Sequence, residues 1–126
     1  MEIKIYQKEM ELKLFELLKS EGEDWGDYTS ESGRTQYYKA IESSIVYVYL
    51  EEDDLIAYIR CKDDSGFGVY VYDLLVRQDK RGNQIGKKLI EYVKDKYKNQ
   101  SIYIMSDVDP YYEKCGYKKI GSIFEV

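Results

Sequence analysis

Residues 73–93, DLLVRQDKRGNQIGKKLIEYV, decide the fold of this chain. The segment starts inside an apolar run, passes through a basic turn with two glycines and continues into an amphipathic pattern. The apolar residues that recur at helical spacing in the last part are Ile85, Leu89, Ile90 and Val93. The pattern predicts a strand over 68–76 followed by a helix over 85–98.

A second apolar run, SIYIMS at 101–106, follows this helix directly. A strand, a helix and a strand joined by short connections form a βαβ unit, in which the two strands are parallel and the crossover is right-handed. We therefore expect the strands at 68–76 and 101–106 to lie side by side.

The remaining elements are predicted from the same kind of periodicity and from turn residues. They are a strand at 2–6, helices at 8–20, 31–43 and 110–115, strands at 44–50 and 54–61, and one or two short final strands. The expected fold is one α+β domain over 1–126, a three-layer α/β arrangement. Its mixed, mostly antiparallel central sheet includes the parallel βαβ unit.

Composition excludes several classes of function. The chain has 126 residues and a net charge of -5, so it repels nucleic acid and anionic membranes. It has no long apolar segment and no secretory signal, which predicts a cytoplasmic protein. Because histidine is absent and the two cysteines are isolated, neither a metal site nor a disulfide is expected.

Positive charge is concentrated in the turn. Residues 77–88 contain five bases and one acid, although the chain as a whole is acidic. A helix N-terminus presents unpaired backbone N–H groups, and glycines let an anion come close, so the turn suits phosphate or pyrophosphate. An ordinary solvated loop is the alternative. The glycine spacing fits neither a Walker A loop nor a dinucleotide fingerprint.

The turn resembles the R/Q-x-x-G-x-G/A signature of the GCN5-related N-acetyltransferases, the GNAT superfamily. Gln84 departs from it, since the family most often has glycine there. The resemblance implies that acetyl-CoA is the cosubstrate and that the loop holds its pyrophosphate. It also implies that the preceding strand, usually bulged, pairs with the pantetheine arm. The cofactor-binding residues implied are Leu74, Val76, Arg81, Gly82, Asn83, Gln84, Ile85, Gly86 and Lys87.

The segment DPYYEKCGYKKIG at 109–121 is similar to the family's PFYEKLGF segment, whose second aromatic residue often protonates the departing thiolate. By this resemblance Tyr112 is the general acid. Helical spacing places Tyr111 and Cys115 on one face, which we expect to be buried, with Tyr112 pointing away from it. A tyrosine that merely packs at the rim of the core is the alternative.

The general base is expected to be Asp73, because the family often uses a carboxylate on the strand before the loop. Asp73 is the only acid between Phe67 and Val76, in an otherwise apolar run. A buried carboxylate needs either partners or a function, so backbone groups or a nearby tyrosine could equally satisfy it. Asp107 is a weaker candidate.

The segment EGEDWGDY at 21–28 lies where the family lines the acceptor side. Its acids, Asp24 among them, and its aromatic residues suit a cationic amine, although a solvated loop explains them equally well. The predicted function is direct N-acetylation of a primary amine, small molecule or peptide, by a monomer or homodimer. The alternative is a non-catalytic module that binds coenzyme A or a protein.

Overall fold

The computed structural model describes the backbone of all 126 residues and every side chain except that of Asp24. The strands are β1 (Glu2–Ile5), β2 (Ile45–Glu51), β3 (Asp54–Asp63), β4 (Val69–Val76) and β5 (Ile102–Ile104). The α-helices are α1 (Glu11–Ser20), α2 (Gly26–Thr29), α3 (Glu31–Glu42), α4 (Ile85–Lys96) and α5 (Asp109–Lys114).

The five strands form one sheet in the order β1-β2-β3-β4-β5. Neighbouring strands from β1 to β4 are antiparallel, whereas β4 and β5 are parallel and joined through α4. The mixed sheet and the βαβ unit predicted from 73–93 are therefore confirmed. Helix α4 ends two residues earlier than predicted, and β5 covers only the middle of the run at 101–106.

Helices cover both faces of the sheet, which gives three layers. Helices α1 and α3 bury Leu14, Phe15, Tyr37 and other apolar side chains against one face. Helix α4 buries its apolar stripe against the other face, where it meets side chains of β2, β3 and β4.

Strand β4 contains a bulge at Tyr72. Cys61 of β3 pairs with Val71 while its neighbour Arg60 pairs with Asp73, so Tyr72 has no residue opposite it. One extra residue reverses the alternation of side chains between the two faces. Val71 packs on the α4 side, whereas Asp73, which regular alternation would place on that same side, faces α3.

Two regions differ from the prediction. Segment 21–28 is not a plain loop, since a 3-10 helix over Gly22–Trp25 and the single turn of α2 shape it. The final strands are absent, because a strand needs ladder bonds from a neighbour and residues 115–126 make none. The apolar side chains exposed there are Ile120, Ile123, Phe124 and Val126. Among the described residues, no helix has the length and apolar character needed to cross a membrane.

Candidate functional site

A cleft opens where β4 and β5 separate. Their parallel pairing ends at Val71 and Ile104, and Met105 donates its N–H to the Val71 carbonyl at 2.9 Å. Strand β4 continues beyond this point to Val76. The N–H of Arg77 points to β3, where it donates to the Ile56 carbonyl at 2.8 Å. Backbone N–H and C=O groups alternate in direction along a strand, so those of residues 74 and 76 point the other way, toward the cleft.

The two predicted main-chain contacts in β4 differ in availability. The N–H and carbonyl of Leu74 face the cleft without a partner strand on that side. The carbonyl of Val76 accepts a hydrogen bond from Nε of Arg81 at 2.9 Å. Arg81 thus fastens the basic turn to the end of the strand.

The conformation of the turn is defined by two residues with left-handed backbone, Gly82 and Gln84, and by one hydrogen bond within the turn. Gly82 has φ of 86°, and a Cβ there would meet nothing within 4 Å, so the backbone is open to an approaching ligand. The Asn83 amide donates to the Lys80 carbonyl at 3.0 Å and closes the turn. Gln84 is the N-cap of α4 with φ of 61° and makes no side-chain capping bond.

The N-terminus of α4 is directed at the mouth of the cleft. The first backbone bond of the helix runs from the Lys88 N–H to the Gln84 carbonyl at 3.0 Å, so the preceding N–H groups have no partner within the helix. Those groups belong to Ile85, Gly86 and Lys87. Together with the helix dipole they form a site that fits a phosphate or pyrophosphate.

Most of the positive charge of the turn is already neutralised. The ion pairs are Arg77 with Asp79, Lys80 with Glu51, and Arg81 with Glu21. Among the described side chains, Lys87 and Lys88 have no ion-pair partner. Of the five bases counted in the sequence, these two in the first turn of α4 remain to attract an anion.

Helix α5 carries two tyrosines whose burial is opposite to the prediction. Tyr112 packs against the core cluster that α4 contacts, whereas Tyr111 is 40% exposed. The Tyr111 hydroxyl lies over Gly86, where a Cβ would overlap it, and the N–H of Lys87 points toward it. The predicted burial of the Tyr111 face is wrong because that side of the helix meets the open end of α4 rather than the core.

Burial, together with the neighbouring Tyr111 and Asp107, raises the pKa of Tyr112 well above its ordinary value. The phenol is therefore protonated at every pH at which the protein would normally be assayed. It can donate a proton to an anion that forms beside it.

Asp73 is 5% exposed and has three side-chain partners. Nε of Arg60 lies 2.5 Å from Oδ2, the Tyr37 hydroxyl donates to the same oxygen, and the Tyr28 hydroxyl lies 3.5 Å from Oδ1. Tyr58 in turn bonds the Tyr37 hydroxyl at 2.8 Å. These contacts agree with the alternative to a catalytic base, namely a buried carboxylate whose charge and hydrogen bonds are satisfied by neighbouring side chains.

Sequence reasoning missed Arg60, although a signal was present. Arg60 is a single base within the apolar run of β3, as Asp73 is a single acid within the apolar run of β4. Opposite charges directly across antiparallel strands stabilise the pair. The sequence alone could therefore have predicted an ion pair between Arg60 and Asp73, since each is the single charge in the apolar run of its strand.

The predicted acceptor segment lies beside Asp73. The rings of Tyr28 and Tyr37 stack with centroids 4.4 Å apart, and the Trp25 ring lies 5.3 Å from that of Tyr28. Glu23 and Asp27 are exposed on the same segment. The side chain of Asp24 lies outside the described residues. An aromatic wall with acids at its rim thus borders the bulge.

Neither cysteine lies in a cluster of metal ligands among the described side chains, and Cys61 is unsuited to acyl-enzyme chemistry. Burial raises the pKa of the Cys61 thiol to about 12, which keeps it protonated and unreactive. Cys115 is the C-cap of α5 and is partly exposed. The described side chains contain no cluster of residues able to hold a metal ion.

Comparison with known families relates the cleft between β4 and β5 and the basic turn to a known fold. A model of the acetyltransferase (GNAT) domain matches residues 8–126. The chain belongs to the GNAT family. The resemblance seen in the turn and in α5 is thereby confirmed over nearly the whole chain, and acetyl-CoA as cosubstrate agrees with this membership. No curated protein matches at the level of sequence.

Solved GNAT structures have the same fold. A GNAT family acetyltransferase from Streptococcus pneumoniae is 22% identical, with 99% of this chain and 98% of that chain covered and a TM-score of 0.72. An aminoglycoside 6′-N-acetyltransferase from Enterococcus faecium is 22% identical over 96% of this chain and 87% of its own, with a TM-score of 0.71. An aminoglycoside 6′-N-acetyltransferase complexed with coenzyme A is 21% identical over 92% and 73%, with a TM-score of 0.64.

Replacing Gln84 by Gly in the GNAT loop is expected to leave coenzyme A affinity unchanged or raise it. A residue with a Cβ costs about 1–2 kcal/mol in the left-handed conformation, which glycine adopts freely. Glycine also makes the unfolded chain more flexible, which offsets about 0.4–1 kcal/mol of that gain. Thermal unfolding and calorimetric titration with coenzyme A measure both effects.

Gln84→Ala is the matched control, since it keeps the Cβ and removes the amide. A large loss of affinity in Gln84→Gly but not in Gln84→Ala would mean that this loop does not hold the pyrophosphate as aligned with the family. A loss in both variants would assign the contribution to the amide.

Proposed function

We propose that this GNAT protein moves the acetyl group of acetyl-CoA directly to a primary amine. One observation carries the proposal: the bulge at Tyr72 is followed by an open strand edge that leads directly to the N-terminus of α4. An extended ligand with amides at one end and phosphates at the other matches that sequence of sites.

In the proposed reaction the amine nitrogen attacks the thioester carbonyl. A C–N bond forms, the C–S bond breaks, and the phenol of Tyr112 gives its proton to the departing sulfur. The nitrogen then loses its extra proton, which restores the phenol of Tyr112. The products are an amide and coenzyme A. The proximity of amine and thioester in the cleft supplies much of the rate.

Before it attacks, an ammonium group must lose a proton, and Asp73 is the proposed base. Its ion pair with Arg60 and the hydrogen bond from the Tyr37 hydroxyl fix the position of this carboxylate. Tyr28 is the partner of Asp73 that belongs to the acceptor segment. We infer that a proton from the amine would reach Asp73 through that phenol.

The proposed acceptor is a cationic small molecule or peptide amine in the cytoplasm. The aromatic wall of Trp25 and Tyr28 and the exposed Glu23 and Asp27 support a cation at this place. Structural neighbours named as aminoglycoside acetyltransferases support a polycationic amine as the first class to test.

An acceptor screen tests the proposed function. Release of the thiol from acetyl-CoA is measured with alkylamines, polyamines, aminoglycosides and peptides with free N-termini. We expect turnover with at least one class, and mass spectrometry should find one added acetyl group on the product amine.

A non-catalytic coenzyme A-binding module is the second candidate. The observation that favours it is the ion pair of Asp73 with Arg60, which leaves this carboxylate engaged. Tight binding of acetyl-CoA without thiol release in any acceptor class would favour the module. Absence of any binding would overturn both candidates.

A further inference from the structure

Glu21 is an acid in a surface segment, yet its side chain is only 7% exposed. It follows α1, and one of its oxygens, Oε1, accepts a hydrogen bond from Nη2 of Arg81. The other oxygen, Oε2, is buried and has no hydrogen-bond partner among the described residues. A buried carboxylate oxygen without a donor is costly, and such exceptions require an explanation.

The position of Glu21 indicates what the donor is. Arg81 bonds Glu21 with Nη2 and the carbonyl of Val76 with Nε. Glu21 therefore lies beside the Arg81 guanidinium, which joins the end of β4 to the basic turn that precedes α4. These are the two parts of the proposed cosubstrate site.

In acetyl-CoA the part between the pyrophosphate and the thioester is the pantetheine arm. The arm is neutral and carries amide N–H groups and one hydroxyl, all of which can donate to a carboxylate. Phosphate oxygens have no proton to donate at neutral pH, and a carboxylate repels them.

We propose that Oε2 of Glu21 accepts a hydrogen bond from an amide or the hydroxyl of the pantetheine arm. This inference rests on the proposed function. Arg81 fixes the position of the carboxylate, so Glu21 would contact the arm while the N-terminus of α4 binds the phosphates. Glu21 is thus a cosubstrate-selecting residue outside the loop that the family signature marks.

Glu21→Gln tests this proposal in the full chain. The amide keeps the shape of the side chain and an oxygen for Arg81, but it turns an NH₂ group toward the arm. Calorimetric titration compares coenzyme A with adenosine 3′,5′-bisphosphate, which has phosphates but no arm. We expect the Kd of coenzyme A to rise about tenfold, as for the loss of one hydrogen bond to a charged group. The Kd of the bisphosphate should stay within about twofold or fall, since a nearby negative charge is removed.

Glu16→Gln is the matched control, because it removes an exposed acid from α1 close to Glu21 in the chain, and it should leave both Kd values unchanged. An equal change for both ligands in Glu21→Gln, or no change for coenzyme A, overturns the inference. If Glu21→Gln does not fold, Glu21→Asp, which keeps the charge but withdraws the oxygen, is titrated with the same ligands and judged in the same way. Wild-type protein that binds neither ligand overturns the proposed function itself.

Discussion

Replacing Tyr112 by Phe is expected to lower kcat about a hundredfold or more, with a small effect on the KM for acetyl-CoA. General acid catalysis by a positioned side chain contributes roughly 10²–10⁴-fold, and the variant removes only the hydroxyl that would supply the proton. Steady-state kinetics with the best acceptor from the screen measures the change. The thermal unfolding temperature should move little, because the ring still packs against the core.

Tyr111→Phe is the matched control on the same helix. Its hydroxyl lies over Gly86 and Lys87 at the start of α4, so its removal should act on cosubstrate binding rather than on kcat. A normal kcat in Tyr112→Phe would contradict the proposed acid. A decrease of equal size in both variants would assign the effect to packing of α5.

The raised pKa of Tyr112 also determines how kcat should depend on pH if this phenol is the general acid. A phenol must be protonated to donate, and burial holds its pKa above the ordinary value of 10. Loss of the donor therefore cannot lower the rate below about pH 10. Any alkaline decrease in kcat at lower pH would come from another group.

Replacing Asp73 by Ala is expected to lower the free energy of unfolding by about 3–5 kcal/mol. Arg60 would then be a largely buried cation without its counter-ion, and removal of one partner of a buried pair has that cost. The Tyr37 hydroxyl would also lose its acceptor. Urea unfolding followed by circular dichroism measures the loss.

The double variant Arg60→Met, Asp73→Leu separates stability from catalysis. Replacing both members of a buried ion pair by apolar residues is often neutral or stabilising, so this variant should recover most of the stability. If it is folded and keeps kcat, Asp73 is not the base. If it is folded and kcat falls a hundredfold, the prediction from the sequence stands. A single Asp73→Ala variant as stable as the wild type would contradict the structural role of the pair.

The sequence predicted the βαβ unit well because its information is local. Apolar spacing in Ile85–Lys96 reports the buried face of a helix, and a continuous apolar run reports an internal strand. The basic turn could be matched to the family signature for the same reason, since its residues are adjacent in the chain.

Contacts between distant segments were not predictable in this way. Glu21 and Arg81 are 60 positions apart, and no pattern near either one indicates the other. The bulge at Tyr72 shifts the alternation of β4 by one residue, and a run that is apolar on both sides of the shift hides it. The burial of Tyr112 was mistaken because helical spacing says which residues share a face, not which face meets the core.

The three ion pairs of the basic turn have a consequence for how fast a ligand is captured. Arg77, Lys80 and Arg81 each have a carboxylate partner, and the chain carries a net charge of -5. A polyanion therefore meets repulsion at long range and attraction only at the start of α4. Its association lacks electrostatic steering and should proceed nearer the unassisted rate constant of about 10⁵–10⁶ M⁻¹s⁻¹. Moderate salt, which screens the distant charges first, should favour the encounter rather than hinder it.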